Sequence, residues 1–278
     1  MPVRPELLAS TAWLGDNLQR TAVRIVDVRW RPDGSGRQVY AAGHVPRAAH
    51  LDWSTELVDA DDAQNAFLLA GPGQVAAAMA AAGVGDGTTA VIYDDTASLY
   101  ASRVWWTLRA YGFESCRILD GGFEAWTSEG RLVSSAASET AHSTFTPRAQ
   151  LRVRLTTSDV RALLGNPEVQ FVDARAPAEY LGHEGNARRL GHVPGAVNLP
   201  VATMTLPGTQ RFRPVEDLQK SLLRANVTRS RRLVCYDGSG IAAAKLAFVL
   251  TYLGYDDVAV YDGGWAEWGN RLDLPVDR

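Results

Sequence analysis

The 278-residue chain is long enough for two domains of ordinary size, each with its own buried core. With 46% hydrophobic and 21% charged residues, a net charge of −3 and a pI near 6.0, it has the composition of a soluble globular protein and lacks the basic stripe that nucleic acid or an anionic membrane surface needs. Two cysteines, Cys116 and Cys235, exclude a disulfide framework or a zinc cluster. No apolar run approaches the ~20 residues of a membrane span, and the start Met-Pro-Val-Arg-Pro-Glu-Leu-Leu has no signal-peptide pattern, so a cytoplasmic protein without metal or cofactor is expected.

In chain order, four blocks of the first half return in the second. Ile25-Val26-Asp27-Val28-Arg29 is echoed by Phe171-Val172-Asp173-Ala174-Arg175, and Gly43-His44-Val45-Pro46 by Gly191-His192-Val193-Pro194. Ala90-Val91-Ile92-Tyr93-Asp94 is echoed by Leu233-Val234-Cys235-Tyr236-Asp237, and Leu119-Asp120-Gly121-Gly122 by Tyr261-Asp262-Gly263-Gly264. The offset of about 145 residues is too long for a solenoid and marks two copies of one fold. The copies are expected at 1–130 and 151–278. A Ser-, Thr- and Ala-rich linker spans 131–150.

Each copy reads as α/β. Thr156 caps a short helix that runs through Leu164. Val169–Val172, Val197–Leu199, Leu233–Tyr236 and Val258–Tyr261 are apolar runs suited to buried strands. A helix from about Ile241 to Leu253 is stopped by Gly254, and Asp262-Gly263-Gly264 opens a last helical segment. Strands alternating with helices predict a mostly parallel sheet covered on both faces in each copy.

The most informative stretch is 233–244, where an apolar strand feeds a glycine-bearing loop that opens a helix. Amides of such a loop form an anion site at the helix start. Asp237 heads the loop, followed by Gly238, Ser239, Gly240, Ile241, Ala242 and Ala243. An aspartate there has an ordinary reading as a helix cap. Cys235 lies two residues earlier on the strand and reads as a small buried hydrophobe. His44 and His192 precede Val-Pro in duplicated turns, which favours a structural role. His50, His142 and His183 lack metal-ligand spacing. The Asp-Gly-Gly segments lack the lysine of a phosphate loop and read as turns before helices. Arg175, Arg188, Arg189, Arg211 and Arg213 are candidate anion contacts, although Arg29 duplicates Arg175 and suggests a structural ion pair there.

Together these blocks, with Arg103-Val104-Trp105-Trp106 and the tail Trp268–Val276, resemble the rhodanese family of tandem-domain sulfurtransferases, which includes thiosulfate and 3-mercaptopyruvate sulfurtransferases. The resemblance covers nearly the whole chain. It implies an inert first copy and a second copy whose loop carries a nucleophilic cysteine that takes sulfur from a small anionic donor. The mercaptopyruvate-type loop reads Cys-Gly-Ser-Gly-Val-Thr-Ala, whereas residues 237–243 read Asp-Gly-Ser-Gly-Ile-Ala-Ala. The resemblance therefore places Asp237 at the nucleophile's position and Ala242 at the threonine's.

A carboxylate is a poor nucleophile toward sulfur and forms no stable persulfide. The expectation is that Asp237 folds over the loop amides, occupies the anion site and has its pKa lowered by them. The leading reading is a homologue with weak or no sulfur transfer, serving as an anion-binding or regulatory module. A working sulfurtransferase, with Cys235 in use or Asp237 an engineered replacement, is the rival. An interaction scaffold with a protein partner is the third reading.

Overall fold

The structure, a computed structural model, describes residues 2–61, 67–138 and 143–278. It holds two five-stranded sheets of the same topology. The first contains β1 (Leu8–Ala9), β2 (Val23–Asp27), β3 (Ala48–His50), β4 (Thr89–Tyr93) and β5 (Cys116–Leu119) in the order β1-β5-β4-β2-β3. The second contains β6 (Arg154–Leu155), β7 (Val169–Asp173), β8 (Val197–Asn198), β9 (Arg232–Tyr236) and β10 (Val258–Tyr261) in the order β6-β10-β9-β7-β8. Every strand pair is parallel. Parallel strands are covered on both faces, which is why the central ones are almost continuously apolar.

Helices α1 (Thr11–Asn17), α2 (Gly36–Ala42), α3 (Trp53–Glu56), α4 (Pro72–Ala81), α5 (Leu99–Ala110) and α6 (Gly122–Ser128) flank the first sheet. Helices α7 (Thr157–Leu163), α8 (Pro177–Tyr180), α9 (Val215–Arg224), α10 (Ile241–Tyr252) and α11 (Gly264–Trp268) flank the second. The expected elements are present within a residue or two. Thr156 and Asp159 form a reciprocal capping box at the start of α7. Gly254, at φ +83°, ends α10 in the left-handed region that favours glycine. In the second copy, strand β6 and helices α8 and α9 were not expected. Strand β6 is two residues long and α8 four. Helix α9 starts behind Pro214 and buries Leu218 and Leu222. The described residues of 131–150 carry no helix or strand, and Ser134 bridges to His44. Residues 139–142, and with them His142, lie outside the described residues.

The two halves meet along α5 and α10, and one hydrophobic cluster runs through both sheets. Trp105 of α5 meets Phe248 of α10 edge-on at 5.0 Å. Polar ties cross in both directions. Asp262 accepts from Leu69 N at 2.9 Å and from Arg103 Nη1 at 2.8 Å. Asp120, its duplicate, accepts from Phe212 N at 3.0 Å. Each aspartate of an Asp-Gly-Gly block thus satisfies a backbone amide in the other half. Among the described residues no helix is long and apolar enough to cross a membrane.

Candidate functional site

Strand β9 ends at Tyr236, and the chain turns through Asp237-Gly238-Ser239-Gly240 into α10. Gly240 is the helix N-cap at φ +78°. A Cβ there would stand 2.8 Å from the Asp262 carbonyl and from Arg103 Nη1, so the tight approach needs glycine. The start of α11 grips the loop from the other side. Trp265 N donates to the Asp237 carbonyl at 2.7 Å, and Ala266 N to the Gly238 carbonyl at 2.9 Å. Gly264 permits this, because a Cβ on it would lie 2.5 Å from the Asp237 carbonyl. The first copy repeats the arrangement, with Phe123 N donating to the Asp94 carbonyl at 2.9 Å. The Asp-Gly-Gly blocks are therefore helix starts that fasten these loops.

Asp237 turns its side chain into the loop, where Oδ2 accepts from Ala242 N at 3.1 Å. It thereby caps the first turn of α10 although Gly240 is the formal N-cap residue. Asp237 is 6% exposed and its Oδ1 has no partner among the described residues. The expectation of a lowered pKa is corrected here. Burial raises the Asp237 pKa and outweighs the amides of Ala242, Ala243, Ser239 and Gly240, which act the other way. The sequence could not reveal this balance, because it depends on how deeply the fold sinks the carboxyl. Asp94 in the first copy is held more completely. Its Oδ1 accepts from Thr96 N and Ser98 N, both at 2.9 Å, and its Oδ2 from Tyr100 N at 2.8 Å and Ala101 N at 2.9 Å.

In front of Asp237 lies a cavity of about 530 Å³, within the range of small-ligand sites. It is lined after β7 by Ala174–Pro177 and Glu179, after β8 by 200–203, and after β9 by Asp237, Gly238 and Ala242. All of these follow the C-terminal ends of parallel strands, where ligand sites form in open α/β sheets. The sequence reading singled out only Arg175 and the β9 loop. Applying the same rule to β7 and β8 would have found the rest.

At the corresponding place in the first copy, the described residues bring aromatic side chains together. Trp30, Trp53 and Tyr100 stand where Ala176, Val201 and Ala242 stand in the second. Their rings pack together at centroid distances of 5.7, 5.5 and 5.0 Å. Phe67 closes the cluster against Trp53 at 5.1 Å. Three large aromatic side chains thus stand where the cavity of the second copy is bordered by two alanines and a valine.

The remaining candidates are dispersed. Arg175 lines the cavity, but its Nη2 donates to Asp173 at 2.6 Å and to the Gly191 carbonyl at 2.8 Å. Arg29 repeats this pair with Asp27. Arg189 reaches the carbonyls of Leu274 and Trp268 in the C-terminal tail, and the exposed Arg188 binds Asn270 through its backbone. Neither is among the residues lining the cavity. Arg211 pairs with Glu129 and Asp120 of the first half. Arg213 has a buried Nε without a hydrogen-bond partner among the described residues.

Cys235 and Cys116 are buried free thiols inside strands. Burial pushes the Cys235 thiol far up, and the Asp237 carboxylate adds to the shift. His44 and His192 stack on Tyr40 and Tyr180 at 3.9 and 3.8 Å, and their Nδ1 atoms meet the carbonyls of the same tyrosines. They build the turns. His50 is held in the first half, where burial lowers its pKa, and His183 is exposed. Among the described residues no three His, Cys, Asp or Glu side chains converge as a metal site would require.

The sequence profile of the Rhodanese-like domain matches residues 10–129 and 156–271. The thiosulfate sulfurtransferase of Gallus gallus is 30% identical over 273 residues, covering 95% of this chain and 93% of that protein. The 3-mercaptopyruvate sulfurtransferase of Escherichia coli (strain K12) is 30% identical over 276 residues, covering 95% of each. Among solved structures, SseA from Escherichia coli, described as a 3-mercaptopyruvate sulfotransferase, superposes with a TM-score of 0.84 at 27% identity, over 93% of this chain and 98% of its own. With both copies matched and sulfurtransferases aligned nearly end to end, the chain belongs to the rhodanese family.

Proposed function

We propose that this chain is a rhodanese-family sulfurtransferase homologue that has lost its nucleophile, transfers sulfur weakly or not at all, and works as a small-molecule binding module through the cavity of its second copy. The observation that carries the proposal is Asp237, a buried carboxylate turned into the loop where the family resemblance expects a thiolate. Sulfur transfer needs a soft nucleophile that holds a sulfane sulfur and releases it to an acceptor, and a carboxylate does neither. Cys235 is a poor replacement. It is fully buried within β9, and its thiol is held far from ionisation. The open cavity of the second copy, at the place where the first copy packs aromatic rings, supports retention of ligand binding.

The test is thiocyanate formation from thiosulfate and cyanide. The protein as it stands gives background rates. Asp237→Cys puts a thiol at the start of α10, where loop amides favour the thiolate, and lifts the rate at least about tenfold. Turnover by the unaltered protein that disappears in Cys235→Ser would overturn the proposal.

A further inference from the structure

We propose that the N-terminal end of the second sheet carries a docking groove for a protein partner, and that its occupant is a short acidic peptide segment bearing leucine-like side chains. The groove lies at the end of the sheet opposite the cavity, so this inference is independent of the proposed function.

The sequence already sets this region apart. Five of the chain's 28 basic residues, Lys220, Arg224, Arg229, Arg231 and Arg232, fall within 220–232, a stretch without an acid in a chain whose net charge is −3. The end of α9 and the turn into β9 border a groove of about 520 Å³. Its floor is Leu222 and Val227, which are 2% and 7% exposed. Leu223, in the last turn of α9, stands 75% exposed beside them. Covering a large apolar side chain so open to water is favourable.

The groove is held in shape. Asn226 turns the chain at φ +54°, and Gln170, buried in β7, donates to its carbonyl at 2.8 Å and accepts from Thr228 N at 3.1 Å. Arg229 donates to the carbonyls of Gly254 and Leu253 at 3.1 and 2.7 Å and lies 4.3 Å from the centre of the Tyr255 ring. A guanidinium and a ring fixed before binding lose little freedom when a partner arrives, and arginine and tyrosine are residues that anchor interfaces.

Charge selects the occupant. No residue lining the groove is acidic. The acids next to it in sequence are engaged, Asp217 by Lys220, Asp256 by Arg4, and Asp257 by Arg152 and Arg232. Arg224, Arg229 and Arg231 are exposed and meet no carboxylate among the described residues. A partner's carboxylates would supply those ion pairs. A peptide also fits the shape. A recessed floor does not reach into a bilayer, and the Tyr255 ring has Arg229 over it, which leaves that face closed to a nucleic-acid base.

The test is a titration of the full chain followed by ¹⁵N–¹H spectra, with the acetylated hexapeptide Glu-Asp-Leu-Leu-Asp-Glu as probe. Glu-Asp-Ser-Ser-Asp-Glu removes the apolar part, and Lys-Lys-Leu-Leu-Lys-Lys reverses the charge. Phosphatidylglycerol vesicles and polyuridylate represent the other anionic partner classes. The acidic leucine peptide is expected to shift the Leu223, Val227 and Thr228 amides saturably, to leave Gly238 and Ala242 in place, and to bind at least about tenfold more tightly than either control peptide. Leu223→Ser and Arg224→Glu, both at exposed positions, are each expected to weaken it about tenfold. The same spectra report whether each variant is folded.

The inference is overturned if the three peptides bind alike, if none shifts these amides, or if either folded variant binds the probe as before. Tighter binding of the vesicles or of polyuridylate at these amides would overturn it as well.

Discussion

Asp94 and Asp237 occupy the same place in two copies of one loop, yet replacing them should have opposite consequences. Asp94 is 1% exposed and holds four amides, two on each oxygen. Asp94→Asn turns an NH2 group toward two of those donors and should cost on the order of 2 kcal/mol or more. For Asp237 only Oδ2 accepts a hydrogen bond, so an asparagine that keeps its oxygen there retains the bond from Ala242 N and removes a buried carboxylate. Asp237→Asn should therefore melt at the same temperature as the unaltered protein or above it near pH 7.

The pH dependence has a definite sign. Because burial raises the Asp237 pKa, the folded chain holds this proton to higher pH than the unfolded chain does. Its contribution makes stability fall as pH rises from the ordinary carboxylate range through the raised value. Thermal melts of both proteins from about pH 4 to pH 7 isolate that slope, which should be missing in Asp237→Asn. A steeper loss of stability in the variant would contradict the assignment. At this scale the sequence revealed which residue stands at the loop head, since a duplicated Tyr-Asp pair is readable. It could not reveal that one aspartate is saturated and the other half-empty, because that follows from loop shape.

Helices α5 and α10 pack against each other and carry equivalent cations four residues after their starts. Arg103 of α5 finds the Asp262 carboxylate. Lys245 of α10 is 3% exposed, lies 5.7 Å from the centre of the Phe212 ring and has no ion pair among the described residues. Burial pulls its pKa from 10.5 down to about 8, against the charge of Asp94. The folded chain therefore loses this proton before the unfolded chain does. The cost of burying the ammonium is fully present below about pH 8 and fades as pH rises toward 10.5. Lys245→Met should raise the melting temperature at pH 7, by about 2–4 °C for each kcal/mol relieved, and the gain should shrink above pH 8. A lower melting temperature at pH 7 would show that the lysine stabilises the interface. Helix α10 was legible from runs such as Ala242–Ala244 and the stop at Gly254, and α5 only through the duplication. Their partners were not, because pairing between halves leaves no local periodicity.

For the molecule as a whole, the duplication is the feature most plainly written in the sequence. What it conceals is how the copies diverged and how they lock together. Nothing in the spacing of Trp30, Trp53 and Tyr100 says that their rings pack together, since the three come together only after the strand ends converge. The ties through Asp120 and Asp262 are hidden for the same reason. Because the core cluster and these ties join the halves, the chain should unfold in one calorimetric transition. Asp262→Ala leaves Arg103, only 2% exposed, without its carboxylate and should cost about 3–5 kcal/mol. Asp120→Ala should cost less, because Arg211 keeps Glu129 as a second partner. Two separated transitions in the unaltered protein would contradict this coupling.

The central claim concerns sulfur, and intact-mass spectrometry of the unaltered protein after incubation with thiosulfate or 3-mercaptopyruvate tests it most directly. The account predicts no gain of a sulfur atom on the chain. A stable sulfur adduct, traced by peptide mapping to Cys235, would contradict it.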